Sequence, residues 1–144
     1  MIRLRPHHLL CILTYAGHGY SQGFVENFNA IIRQIAAGEQ TIEIVYGPDA
    51  ICAPLVCGLD HHCTRPSVEQ RDRLAAESIS QWLEVPIQPG AQILLSPDRL
   101  EFLRRAFAQG SIRLACAQCQ WKPLCDDIAE QGFAGTHLIQ LANC

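Results

Sequence analysis

The sequence predicts an α+β fold: a helix-dominated small single domain, residues 1–144, with about two short strands and a cysteine-rich metal site. Three observations predict it. Apolar residues recur at helical spacing in several segments. Only two short stretches are rich in β-branched residues. Eight cysteines, more than packing alone calls for, stand in a chain whose length suits one core.

The elements follow in order. "RPHHLLCILTYAGHG" reads as a short helix, with Pro6 suited to its first position and Gly17 to its exit. Ser21 starts a second helix that runs to about Ala37 and carries Phe24, Phe28, Ile31, Ile32 and Ile35 as one apolar stripe; Gly38 ends it. "TIEIVYG" reads as a strand, and the Pro- and Gly-punctuated "GPDAICAPLVCGLDHHC" as a loop. Ser67 and Gln70 have the spacing of a capping box for a helix to about Leu83. "VPIQPG" is a turn and "AQILLS" a second strand. Ser96 caps a further helix, with Pro97 in its first turn, Asp98 favouring its positive end and Gly110 closing it. After the cysteine segment, "LCDDIAEQGF" gives a short helix ending at Gly132.

Charge narrows the partners. The formal net charge is −3 and the eleven Lys and Arg are scattered, so neither nucleic acid nor a membrane surface is expected as a partner. No apolar run approaches the length that spans a bilayer. The start, "MIRLRPHHLLCILTYAG", fits a signal peptide poorly, because Pro6, His7 and His8 interrupt it and no small-x-small site closes it. A cytoplasmic location is therefore expected, where cysteines stay reduced and clustered ones are metal ligands or redox groups rather than disulfides.

Three constellations carry chemistry. In "CAQCQWKPLC", Cys116, Cys119 and Cys125 are spaced C-x2-C-x5-C. A C-x-x-C pair brings two thiolates to one metal from a tight turn, and the third cysteine closes the same side. Tetrahedral zinc and cubane iron–sulfur clusters each want a fourth ligand. A redox dithiol at Cys116 and Cys119 would not need Cys125. The second group is Cys52, Cys57 and Cys63 with His61 and His62 in the loop, a source for that fourth ligand or for a zinc site of its own. The third is "RPHHLLC". His7 and Cys11 are four apart on a helix and His8 and Cys11 three apart, so imidazole and thiol share a face. Such a group binds metal or lowers a thiol pKa. Cys144, the last residue, reads as incidental. No P-loop, G-x-G-x-x-G, G-x-S-x-G or H-E-x-x-H is present.

Taken together, "LRPHHLLCILTYAGHGYS", "GPDAICAPL", a downstream "HC" and "RLACAQCQWKPLC" resemble a prokaryotic family, domain of unknown function 1284, described as candidate iron–sulfur binding proteins. The resemblance implies that Cys11, Cys52, Cys63, Cys116, Cys119 and Cys125 stand at family motif positions, and it implies iron–sulfur over zinc. It supplies no reaction.

The expectation is one [4Fe–4S] cluster on Cys116, Cys119 and Cys125, with Cys52 the favoured fourth ligand, Cys63 next and Cys11 third. His7, His8 and Cys11 are the candidate catalytic groups should the protein be an enzyme. At least one imidazole is expected within reach of a cysteine sulfur. A redox partner protein or a small-molecule substrate is the expected partner. The alternatives are a structural zinc protein acting as an interaction module, and a metal-free thiol oxidoreductase.

Overall fold

The first described residues form a strand. Ile2–Leu4 (β1) pairs in parallel with Ile42–Ile44 (β2), and β2 pairs antiparallel with Gln92–Ile93 (β3), giving a three-stranded sheet in the order β1-β2-β3. A parallel pair needs a long crossover. Here it consists of two helices, His8–Thr14 (α1) and Gln22–Ala36 (α2). Pro66–Leu83 (α3), Pro97–Ala108 (α4) and Lys122–Glu130 (α5) complete the described elements. This computed structural model describes residues 2–17, 21–37, 41–46, 49–51, 66–113, 116, 122–136 and 138.

The sheet shows the strand alternation directly. Ile2, Leu4, Ile42, Ile44 and Ile93 point into the core, while Arg3 and Glu43 face outward as register partners and pair at 3.2 Å. α2 lays its predicted stripe on this core: Phe24, Phe28, Ile31, Ile32 and Ile35 are all buried, and Ser21 accepts from the Phe24 N–H at 3.1 Å. Tyr15 stacks on Phe28 with ring centroids 3.8 Å apart, and its hydroxyl donates to Asn29 at 2.7 Å.

The helix ends follow the sequence signals. Ser96 accepts from Arg99 N–H at 3.2 Å, with Pro97 in the first turn. Gly110 at φ 80° ends α4. Its N–H reaches Phe107 O, and Ser111 N–H reaches Ala106 O, the paired bonds of a Schellman motif. The exception is α3: it opens at Pro66, so Ser67 lies inside the helix and not at the N-cap that the capping-box spacing implied.

Two readings change. The first helix is shorter than "RPHHLLCILTYAGHG" implies, because Pro6 and His7 form a turn before it and Tyr15 is extended after it. Ile2–Leu4 is a strand that a three-residue run could not announce. The described residues form a helix-dominated α+β arrangement as expected, with three strands among them where about two were expected. No described helix is long and apolar enough to cross a membrane.

Removing the Phe28 ring should cost much more than removing a cap. Phe28→Ala should lower the unfolding free energy by roughly 3–5 kcal/mol and Ser96→Ala by about 1 kcal/mol. Urea titrations of both variants check this, and equal effects would contradict the packing of α2.

Candidate functional site

α1 is a two-turn helix with His8, Leu9, Leu10, Ile12, Leu13 and Thr14 all buried, which marks it as an internal strut rather than a surface helix. Two polar clusters sit at its two ends.

Near the C-terminal end lies Cys125, with Cys11 in the middle of the helix. Cys11 on α1, Cys116 and Cys125 on α5 are half-buried thiols packed against the same core. Thr14 Oγ1 and Cys125 Sγ are 3.2 Å apart. Thr14, three residues past "RPHHLLC", is what meets a downstream cysteine; the expected contact of His7 or His8 with a sulfur is not seen among the described residues, where the two rings bond Asp72 and Asp49. Cys116 is held beside Arg113 by a turn in which its N–H donates to Arg113 O at 3.0 Å. Arg113 pairs with Asp126 of α5, and its guanidinium carbon lies 4.2 Å from the Phe107 ring centroid. Burial works against the Arg113 charge, but the hydrogen bonds and attraction of Asp126 and Cys116 outweigh it and hold the guanidinium above its usual value. Hydrogen bonds from Arg113 and Lys122 hold the Asp126 carboxyl below its usual value. Arg113 Nε and Nη2 are buried and meet no hydrogen-bond partner among the described residues.

At the N-terminal end lies a network that joins four parts of the chain. Arg5 is fully buried; its Nε donates to Asp72 Oδ2 at 2.8 Å and its backbone N–H to Asp49 Oδ2 at 2.8 Å. Asp72 Oδ1 takes His7 Nδ1 at 2.7 Å and the His7 backbone N–H at 3.2 Å. Asp49 Oδ2 takes His8 Nδ1 at 2.7 Å, and Asp49 Oδ1 takes the Ile51 N–H at 3.0 Å. The two rings stand 4.3 Å apart between centroids. An ionised carboxylate only accepts, so Nδ1 is the donor in each pair and Nε2 of the neutral ring carries the lone pair. Desolvation above all, and the neighbouring His8, lower the His7 pKa to about 4 against the opposing pull of Asp72. Asp72 is also lowered: burial resists this, but His7 and Arg5 prevail. Asp49 further forms one wall of an open cleft of about 710 Å³ lined by Arg3, Asn27, Gln34 and Tyr46 among others.

Sequence reasoning found both histidines but not their partners. Asp72 had a signal: Val68, Asp72, Ala75, Ala76 and Ile79 fall on one face of α3, so Asp72 is an acid on an apolar stripe. Asp49 resembled an ordinary turn residue. Of the expected site residues, Cys52, Cys57, Cys63, His61, His62, Cys119 and Cys144 lie outside the described residues. Among the described residues no three His, Cys, Asp or Glu side chains are placed to hold a metal ion together.

A family model described as "Protein of unknown function (DUF1284)" matches residues 19–125. The chain belongs to the DUF1284 family. The matched span includes Cys52, Cys63, Cys116, Cys119 and Cys125 and leaves His7, His8 and Cys11 before it. Comparison with curated proteins and with solved structures found no match.

Acid should destabilise this protein early. The folded His7 binds its proton more weakly than the unfolded one, so its contribution is fully present above about pH 6.5 and is lost as pH falls to about 4. The shift corresponds to roughly 3 kcal/mol. Asp72 adds a further loss below its ordinary value of 3.8. Unfolding free energies measured between pH 7 and 4 should fall steadily, and His7→Gln should flatten that slope.

Proposed function

We infer that the chain binds a [4Fe–4S] cluster through Cys116, Cys119 and Cys125, with a fourth cysteine ligand drawn in order of preference from Cys52, Cys63 and Cys11. The observation that supports this most is Arg113. A guanidinium that sits beside Cys116 with two buried nitrogens unanswered among the described residues suits an anionic, sulfur-rich acceptor. Thr14 supplies a hydroxyl to Cys125 in the same way.

Each residue then has a task. Cys116 and Cys125 present thiols from half-buried positions, where the apolar core limits water. Arg113 offsets their negative charge and is itself steered by Asp126 and the Phe107 ring. Thr14 orients Cys125 and ties α1 to α5. When bound, the cluster would supply one-electron chemistry or a Lewis-acidic iron, tuned by these donors. A redox partner protein or a small-molecule substrate would be the counterpart of that chemistry.

Protein purified without oxygen should be brown, with iron and acid-labile sulfide each at about four per chain. Cys116→Ser, Cys119→Ser and Cys125→Ser should each lose the metal and melt below the parent, because metal bound only to the native state adds folding free energy. Cys144→Ser should do neither. Stoichiometric zinc without sulfide would replace the cluster with a structural zinc site.

A further inference from the structure

We propose that His7 and His8 form a second, separate site: a pair of Nε2 donors that binds one divalent transition-metal ion. The reading does not depend on what the cysteines hold.

Orientation carries the argument. Both imidazoles spend Nδ1 on a buried carboxylate, at 2.7 Å in each case. Both therefore present Nε2, and neither Nε2 makes a hydrogen bond among the described residues. A carboxylate behind an imidazole fixes its tautomer, holds the ring plane and raises the donor strength of the other nitrogen, which is the arrangement that metal-bound histidines use. The carboxylates are fixed in turn: Asp72 by Arg5 Nε and the His7 N–H, Asp49 by the Arg5 and Ile51 N–H groups. The rings are thus held by groups that are themselves held.

Spacing agrees. Two imidazoles bound through Nε2 at about 2.0–2.1 Å to a tetrahedral or octahedral ion have centroids roughly 4.5–5 Å apart. The observed 4.3 Å needs little adjustment. Each side chain keeps part of its surface in solvent, 12% for His7 and 11% for His8, so the pair is reachable.

A clamp that only joined β1 to α3 has no use for two such rings side by side. Arg5 and the backbone N–H groups already hold both carboxylates. Two lone pairs on adjacent, tilted rings suit a borderline Lewis acid such as Zn²⁺, which takes imidazole readily. The described residues supply two ligands, fewer than the four that close a structural zinc site.

The test is a Zn²⁺ titration of the full chain, purified without oxygen and ¹⁵N-labelled in histidine, followed by long-range proton–nitrogen NMR. Before zinc, His7 and His8 should both show the Nδ1–H tautomer. One equivalent beyond that taken by the cysteines should move both Nε2 resonances together. Asp72→Asn should weaken this step about 10–100-fold. Since that variant also loses an Arg5 partner, His7→Gln serves as the second: it should abolish the shift of His8 at one equivalent. If both Nε2 resonances stay in place while zinc goes to other imidazoles or to thiols, or if either ring starts as the Nε2–H tautomer, the site does not exist.

Discussion

A buried arginine governs the N-terminal half of this fold. Arg5 has no exposed surface and reaches Asp72 on α3 and, through its backbone, Asp49 after β2. Taking such charges out of water is expensive, and a buried pair adds little net stability compared with an apolar replacement. Breaking it is another matter, since a lone charge left inside costs several kcal/mol. The clamp therefore fixes arrangement more than it adds stability. It pins the end of β1, the first turn of α1, the segment after β2 and the middle of α3 to one point, and no alternative register of β1 satisfies all of them.

α1 is the second constraint. His7 is its N-cap residue, His8 opens its first turn and Thr14 in its last turn meets Cys125, so the His8 and Thr14 ends are separated by about 9 Å of helix. Arg104 closes its far end. Two guanidinium nitrogens reach Leu13 O, at 3.2 and 3.1 Å, and the same side chain holds Thr136 Oγ1 and Leu138 O. One arginine thus supplies the donors that the helix terminus lacks and fastens the C-terminal residues to the same place. A displacement at either end of so short and buried a helix reaches the other end, because close-packed side chains leave it little room to bend.

Local signals were legible and long-range ones were not. Ser21, Ser96, Gly110 and the stripe from Phe24 to Ile35 act within a turn or two of themselves, and each does in the structure what its sequence context predicts. Those signals, with the two β-branched stretches, were enough for a helix-dominated α+β class. The partners of Arg5, His7 and His8 lie 41 to 67 residues away, and nothing in "RPHH" names them. β1 escaped notice for the same reason: three residues make a strand only because β2 is there to pair with. Asp72 is the instructive case. Its position among Val68, Ala75, Ala76 and Ile79 announced burial, and a buried acid demands a cation or donor, so the question could have been asked even though the answer lay elsewhere in the chain.

The contacts of the N-terminal segment also set a timetable. Translation delivers β1 and α1 first, yet the register partner of Ile2 is Ile42, the salt-bridge partner of Arg5 is Asp72, and the sulfur beside Thr14 belongs to Cys125, 111 residues later. At roughly 5–20 residues per second a growing chain waits many seconds between the two. Until those partners are made, Leu9, Leu10, Ile12 and Leu13 lack part of the core they enter, and the Arg5 side chain lacks Asp72. A helix buried on six of its seven positions is thus made well before the elements that bury it. A chaperone that shields short apolar helices, or slow elongation ahead of residue 72, would decide how much of the newly made chain reaches this structure.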